Sequence, residues 1–229
     1  MLEVTDIVGI TFWIISVAMV ASTAFFFLEA NSVSKQWATS VRVAGLITLI
    51  AAVHYYYMRA GWVETATSPT VYRYIDWLLT VPLQMVEFYL ILAAVGAATS
   101  GMFWRLLLGT LVMLVAGFAG ETGLIGSAAI AFVIGIAGWI YILYEVFAGE
   151  AGQASAASNS EAQKSAFNTM KWIVSVGWCI YPIGYFMGYL SGGTDESTLN
   201  GVYNIADFVN KIAFGLAIWA AAKSESSKA

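Results

Sequence analysis

The 229 residues are 60% hydrophobic and only 10% charged, with a mean hydropathy of +0.77; a soluble domain is about half apolar and roughly a quarter charged. That balance excludes an ordinary soluble enzyme, and 15% aromatics with three prolines exclude a disordered or collagen-like chain. The net charge of -4 offers no basic footprint, so no nucleic acid partner is expected. Cys179, the lone cysteine, cannot close an internal disulfide and reads as a buried, inert thiol in an apolar run.

A membrane-crossing helix needs about 20 mostly apolar residues. Seven runs qualify, at about 7–29, 36–58, 69–97, 103–119, 124–147, 168–190 and 201–222. The expected fold is therefore an all-α, seven-helix transmembrane bundle in which residues 1–229 form a single domain. Turn and polar residues mark the breaks: Glu29-Ala-Asn-Ser32, Arg59-Ala-Gly-Trp62, Thr99-Ser-Gly101, Gly120-Glu-Thr-Gly123 and Ser191-Gly-Gly-Thr-Asp-Glu196. Segment 149–165 is the longest polar stretch and reads as a flexible loop. The opening Met1-Leu-Glu-Val-Thr-Asp6 lacks the basic residues that precede a signal peptide's apolar core, so the first run reads as a retained span. With the N-terminus outside, Lys35, Arg42, Arg105, Lys164, Lys171, Lys223 and Lys228 fall on the inner side and only Arg59 on the outer. Basic residues mark the cytoplasmic side, which predicts N outside and C inside.

Six ionisable residues fall within the runs: His54, Arg73, Asp76, Glu87, Asp207 and Lys211. A charge at bilayer depth costs at least a few kcal/mol unless it faces a partner or a cavity, so each marks a candidate site. In the third run Asp76 and Glu87 are 11 residues apart. That is close to three turns, so both share a face, about 16 Å apart along the axis. Arg73 lies one turn before Asp76 and Thr80 one turn after it. In the seventh run Asp207 precedes Lys211 by one turn. A lysine amine held out of water is suited to condense with an aldehyde as a Schiff base, and Asp207 and Asp76 are placed to balance the resulting cation. In the sixth run Trp178, Tyr181, Pro182 and Tyr185 share one helical face, which Trp77 of the third run could oppose. Taken alone this is an aromatic core; beside a central lysine it is a slot for a flat conjugated ligand.

These residues resemble the microbial rhodopsins, and among them the proteorhodopsins. The likeness rests on Arg73-Tyr-Ile-Asp76-Trp77-Leu-Leu-Thr80-Val-Pro82 and Asp207-Phe-Val-Asn-Lys211. Tyr57-Met-Arg59, Ser165-Ala-Phe-Asn-Thr-Met170 and Gly177-Trp-Cys-Ile-Tyr-Pro182 extend it over essentially the whole chain. The resemblance implies all-trans retinal on Lys211 as a protonated Schiff base, Asp76 as counterion and proton acceptor, and Asp207 as second counterion beside Arg73. It further implies Glu87 as the cytoplasmic proton donor and His54 as a hydrogen-bond partner of the acceptor, with Trp77, Trp178, Tyr181, Pro182 and Tyr185 around the retinal. Gln84 stands where green-absorbing relatives usually have leucine. A polar group near the imine end stabilises the ground-state charge and widens the gap, which implies the blue-absorbing class.

Taken together, the expected function is a light-driven outward proton pump in a bacterial plasma membrane, an ion transporter rather than an enzyme. The resemblance also implies a ring homo-oligomer, pentamer or hexamer, with Trp13 and His54 at a subunit contact; a lipid-facing aromatic is the alternative reading of Trp13. The competing function is a sensory rhodopsin, against which the carboxyl donor Glu87 speaks, since slow signalling does not need it. From a different class comes a retinal-free transporter in which Lys211 and Asp207 simply pair. Colour on adding retinal separates the two. Glu121 is one candidate for the proton exit group.

Overall fold

The computed structural model describes residues 2–227; Lys228, counted above among the basic residues, lies outside them. Among the described residues, seven helices are long and apolar enough to cross a membrane: the first span Ile7–Glu29, the second Lys35–Thr65, the third Thr70–Ala93 and the fourth Ser100–Glu121, followed by the fifth Ala128–Ala157, the sixth Glu161–Leu190 and the seventh Glu196–Ser226. Consecutive spans pack side by side, and the seventh returns against the first and second, closing the bundle. Apolar side chains such as Ile14, Val17, Val20, Leu108 and Val133 face outward, as lipid contact requires. Polar side chains gather inside instead.

Five of the spans begin at a residue whose side chain accepts a backbone N–H of the first turn: Asp6, Thr99, Ser127, Ser160 and Asp195. Asp195, outside the seventh span, accepts Thr198 N at 2.8 Å. The Thr198 hydroxyl and backbone amide hold its carboxyl below the ordinary aspartate range. The second span runs seven residues past the expected end and takes the Arg59-Ala-Gly-Trp62 break into its helix. Trp62 ties that extension down by donating to Asp6 Oδ1 at 3.0 Å. It ends only at Ala66, which is left-handed (φ 54°).

Segment 149–165 is not the flexible loop its composition suggests. The fifth helix breaks after Phe147, a short helix runs from Glu150 to Ala157, and the sixth span begins at Glu161. The cause is a long-range anchor that local composition does not reveal. Arg105 of the fourth span donates Nε to Glu145 Oε2 at 2.8 Å and also bonds Glu150. Thr99 Oγ1 donates to Glu150 Oε1 at 2.8 Å, and buried Glu145 accepts Ala151 N at 3.0 Å. With its first turn held this way, an alanine-rich stretch is helical.

The fourth and fifth spans meet backbone to backbone. A Cβ placed on Gly138 would stand 2.8 Å from Met113 N and 2.9 Å from Gly109 O, so only glycine permits this approach. Gly138→Val should cost about 1–3 kcal/mol of stability through overpacking, read as an earlier thermal unfolding transition in detergent; an unchanged transition would show that the seam has slack.

Candidate functional site

The third span carries the polar face that organises the bundle's interior. Arg73, Asp76, Thr80, Gln84 and Glu87 recur at three- and four-residue steps, and all five are buried. A continuous helix therefore sets their heights along the membrane. Pro82 removes one rung of its hydrogen-bond ladder without ending it. The seventh span supplies the facing cation.

Lys211 Nζ bonds Asp76 Oδ2 and donates to Asp207 Oδ2 at 2.9 Å. The two carboxylates are satisfied unequally. Asp207 also accepts Tyr55 OH at 2.9 Å, Tyr181 OH at 2.6 Å and Trp77 Nε1 at 3.2 Å. Asp76 Oδ1 has no hydrogen-bond partner among the described residues. His54, expected to bond it, stands at ion-pair distance, Nδ1 to Oδ1 4.0 Å. Its Nδ1 instead meets the Ile50 carbonyl at 2.8 Å, because a histidine on a helix reaches the carbonyl one turn back. Thr80 likewise donates to the Asp76 carbonyl, at 2.9 Å, rather than to its carboxylate.

Arg73 does not bond either aspartate. Its Nη2 donates to Asn200 Oδ1 at 2.7 Å and Asn204 Oδ1 at 3.3 Å. The guanidinium carbon lies over the rings of Tyr203, Phe12 and Trp77 at 5.3, 5.6 and 5.9 Å. Two buried cations and two buried carboxylates thus balance formally within one cluster, which is what a low-dielectric interior demands. Glu87 stands apart from this cluster, fully buried, against Ser40 and the Ala44 backbone of the second span. Phe88 beside it packs on Phe167 at 5.1 Å and Phe214 at 5.9 Å.

A cavity runs from Lys211 and Asp207 toward the fourth and fifth spans. Trp77, Gln84, Trp178, Tyr181, Pro182 and Tyr185 line it as the sequence pattern anticipates, joined by Met113, Gly117, Phe132 and Trp139. A flat, elongated, apolar polyene aldehyde fits these walls: an amine lies at one end and aromatic rings line the rest. Gln84 Nε2 is buried with no protein partner among the described residues. Its amide belongs to the same lining.

Sequence reasoning missed Tyr55, Asn200, Asn204 and Asn210. Each is a polar side chain buried within a span, a signal that the search for charges passed over. Glu121 accepts Tyr74 OH at 2.8 Å and lines the cavity. Trp13 is 42% exposed with Arg59 5.2 Å over its ring, so it faces outward.

The sequence model of the bacteriorhodopsin-like proteins matches residues 6–225. The blue-light absorbing proteorhodopsin of Gamma-proteobacterium Hot 75m4 is 56% identical over all of this chain and 91% of its own length. The green-light absorbing proteorhodopsin of Gamma-proteobacterium EBAC31A08 is 54% identical with the same coverage. The crystal structure of a blue light-absorbing proteorhodopsin from Med12 superposes with a TM-score of 0.84 at 52% identity, over 96% of this chain and 100% of that one.

Replacing Tyr181 by Phe should leave Asp207 one donor short and weaken its hold by about 1.5–3 kcal/mol, the range for hydrogen bonds to charged groups. The measurement is thermal stability beside that of Tyr55→Phe; no loss in either variant would mean that Asp207 does not depend on its neutral donors.

Proposed function

The chain belongs to the bacteriorhodopsin-like protein family, and from that premise we propose that it is a light-driven outward proton pump of the blue-absorbing proteorhodopsin kind. It carries all-trans retinal on Lys211 in a bacterial plasma membrane, with the N-terminus outside and the C-terminus in the cytoplasm. The observation that carries this reading is the placement of Lys211 between two unequally satisfied carboxylates, with a second buried acid on the same face of the third span. Bound there, retinal supplies visible absorption and a light-driven change in how strongly the nitrogen holds its proton. The remainder is the chain's own work.

Asp207, held by Tyr55, Tyr181 and Trp77, stays an anion throughout and serves as second counterion. Asp76, with one oxygen uncommitted, takes the proton at Oδ2 from Lys211 Nζ. Glu87 then refills Nζ through the interval that Thr80 and Gln84 occupy, and is itself refilled from the cytoplasm. Arg73, drawn outward by Asn200 and Asn204, stands between the aspartates and the exterior, and its positive charge opposes a proton's return. His54 sits beside Asp76 close enough to bias its charge. Trp178, Pro182 and Tyr185 keep water from the polyene's walls. The order Glu87, Lys211, Asp76, Arg73 is inside to outside under the basic-residue bias. Each proton moved against 100 mV costs about 2.3 kcal/mol, far below the energy of a visible photon.

A sensor would not need a buried donor, and the presence of Glu87 favours transport. Identity to blue- and green-absorbing relatives is nearly equal, so colour rests on Gln84. For the assembly, an outward-facing Trp13 with Tyr56 6.2 Å away supports a ring of copies, pentamer or hexamer; cross-linking in native membranes counts them.

Illuminating retinal-supplied cells should acidify the medium, an effect abolished by an uncoupler and by Lys211→Ala, which should also be colourless. Glu87→Gln should keep its colour and slow the cycle. A medium that stays at constant pH under light would leave the sensory reading. Outward pumping should disappear at acid pH, because a protonated Asp76 cannot accept. A dark titration should show the absorption band shifting to the red as that charge is lost; a band that never moves would remove Asp76 as counterion. Gln84→Leu should also shift absorption to the red, and an unshifted spectrum would detach colour from this position.

A further inference from the structure

On the outer side, Arg73 is the start of a line of hydrogen bonds that ends on an exposed carboxylate. Its Nη2 donates to Asn200 Oδ1 at 2.7 Å, Asn200 Nδ2 donates to Ser68 Oγ at 2.8 Å, and the Ser68 hydroxyl donates to Glu196 Oε2. Every link donates in the same sense, from a buried cation to an anion at the surface. Ser68 lies in the turn between the second and third spans, and Glu196 opens the seventh.

The carboxylate fixes that sense. It can only accept, and Glu196 Oε2 takes both the hydroxyl and the backbone N–H of Ser68, the latter at 2.9 Å. With its proton committed outward, Ser68 Oγ offers lone pairs to Asn200. Asn200 then spends its amide hydrogens on Ser68 Oγ and on the Glu196 main-chain carbonyl, each at 2.8 Å, and its oxygen is left for Arg73. Without the carboxylate the hydroxyl and the amide are free to turn, and an amide turned the other way presents hydrogens to the guanidinium. Bonds aligned like this polarise and strengthen one another. The branch through Asn204 is different: it meets Arg73 at 3.3 Å and runs through Thr11 to the Val8 carbonyl.

What the line withholds lies one turn inward. Arg73 Nη1 and Asp76 Oδ1 are both buried, and neither has a hydrogen-bond partner among the described residues. Their residues are three apart on one helix and so are neighbours on its surface. A guanidinium released from its outer hold has this carboxylate oxygen to turn to.

We propose that Glu196 is a positioning residue: acting through Ser68 and Asn200, it holds the Arg73 guanidinium away from Asp76 and so sets the acidity at which Asp76 takes up a proton. The proposal rests on the reading of Asp76 as the acceptor whose protonation changes the colour. Lys211 and Asp207 of the seventh span, His54 and Tyr55 of the second and Tyr181 of the sixth face Asp76. Glu121 of the fourth and Tyr203 of the seventh face Arg73. Cutting the outer end of the line alters none of these groups, so its effect reaches Asp76 through Arg73.

The test is a titration in the dark, on retinal-loaded protein in lipid vesicles. The midpoint of the colour change is read from the absorption spectrum. The infrared carbonyl band of protonated Asp76, assigned with Asp76→Asn, gives the same midpoint with or without pigment. A guanidinium that approaches Asp76 favours its charged form. Ser68→Ala and Glu196→Ala should therefore each need about tenfold more acid to reach the midpoint, the scale of one hydrogen bond to a charged group. The double variant should move no further than either single one, because the two residues act in series. Glu196→Gln removes the charge and keeps an oxygen for Ser68, so it should restore most of the native midpoint. A native midpoint in Ser68→Ala overturns the tether. So does an equal shift in Glu196→Gln and Glu196→Ala that fades in about 1 M salt, the mark of a plain surface charge. A chain that stays colourless defeats the functional reading, and the infrared midpoint then judges the tether separately.

Discussion

Everything in this bundle is arranged around one constraint: a lysine ammonium and an arginine guanidinium buried in a lipid-embedded interior must have two carboxylates to balance them. Lys211 meets Asp76 and Asp207 directly, whereas Arg73 is held a step away by amides and ring faces. Breaking one member of such a cluster leaves an uncompensated buried charge, which is far costlier than the net worth of the intact set. The cluster therefore dictates which faces of the second, third and seventh spans turn inward. Tyr55, Trp77 and Tyr181 are drawn in with them, each donating to Asp207.

The unequal treatment of the two aspartates turns a structural necessity into chemistry. A carboxylate saturated with donors keeps its charge; one with a free oxygen beside a proton-bearing nitrogen can change state. The same third helix then fixes distance. A rigid rod with acids three turns apart sets two stations along the membrane normal, with Thr80 and Gln84 between them. At the Glu87 end Phe88 packs on Phe167 and Phe214, so the two ends of this face differ in kind as well as in position.

Much of this was legible in the residues themselves. Apolar run lengths located seven spans, and the spacing of Arg73, Asp76, Thr80, Gln84 and Glu87 on one helix placed them on one face, because helical period is a local property. Trp178, Tyr181, Pro182 and Tyr185, placed on one face by their spacing, line the cavity, although the sixth span is not a regular helix there. What escaped depends on partners distant in sequence. The helix Glu150–Ala157 hangs on Arg105 and Thr99, some 50 residues away. Arg73 turns to asparagines on the seventh span. Short polar side chains choose among several nearby acceptors, and only the packed bundle decides which one is in reach.

The seam between the fourth and fifth spans, where Gly138 lets two backbones touch, has a bearing on how colour can diversify. Gly117 and Gly135 of the same two spans line the cavity beside Met113, Phe132 and Trp139, so the closeness of the seam helps to fix where the far wall stands. In the proposed pump, tuning falls to polar groups of that lining such as Gln84, which act on the electric field along the pigment while leaving its seat the same length.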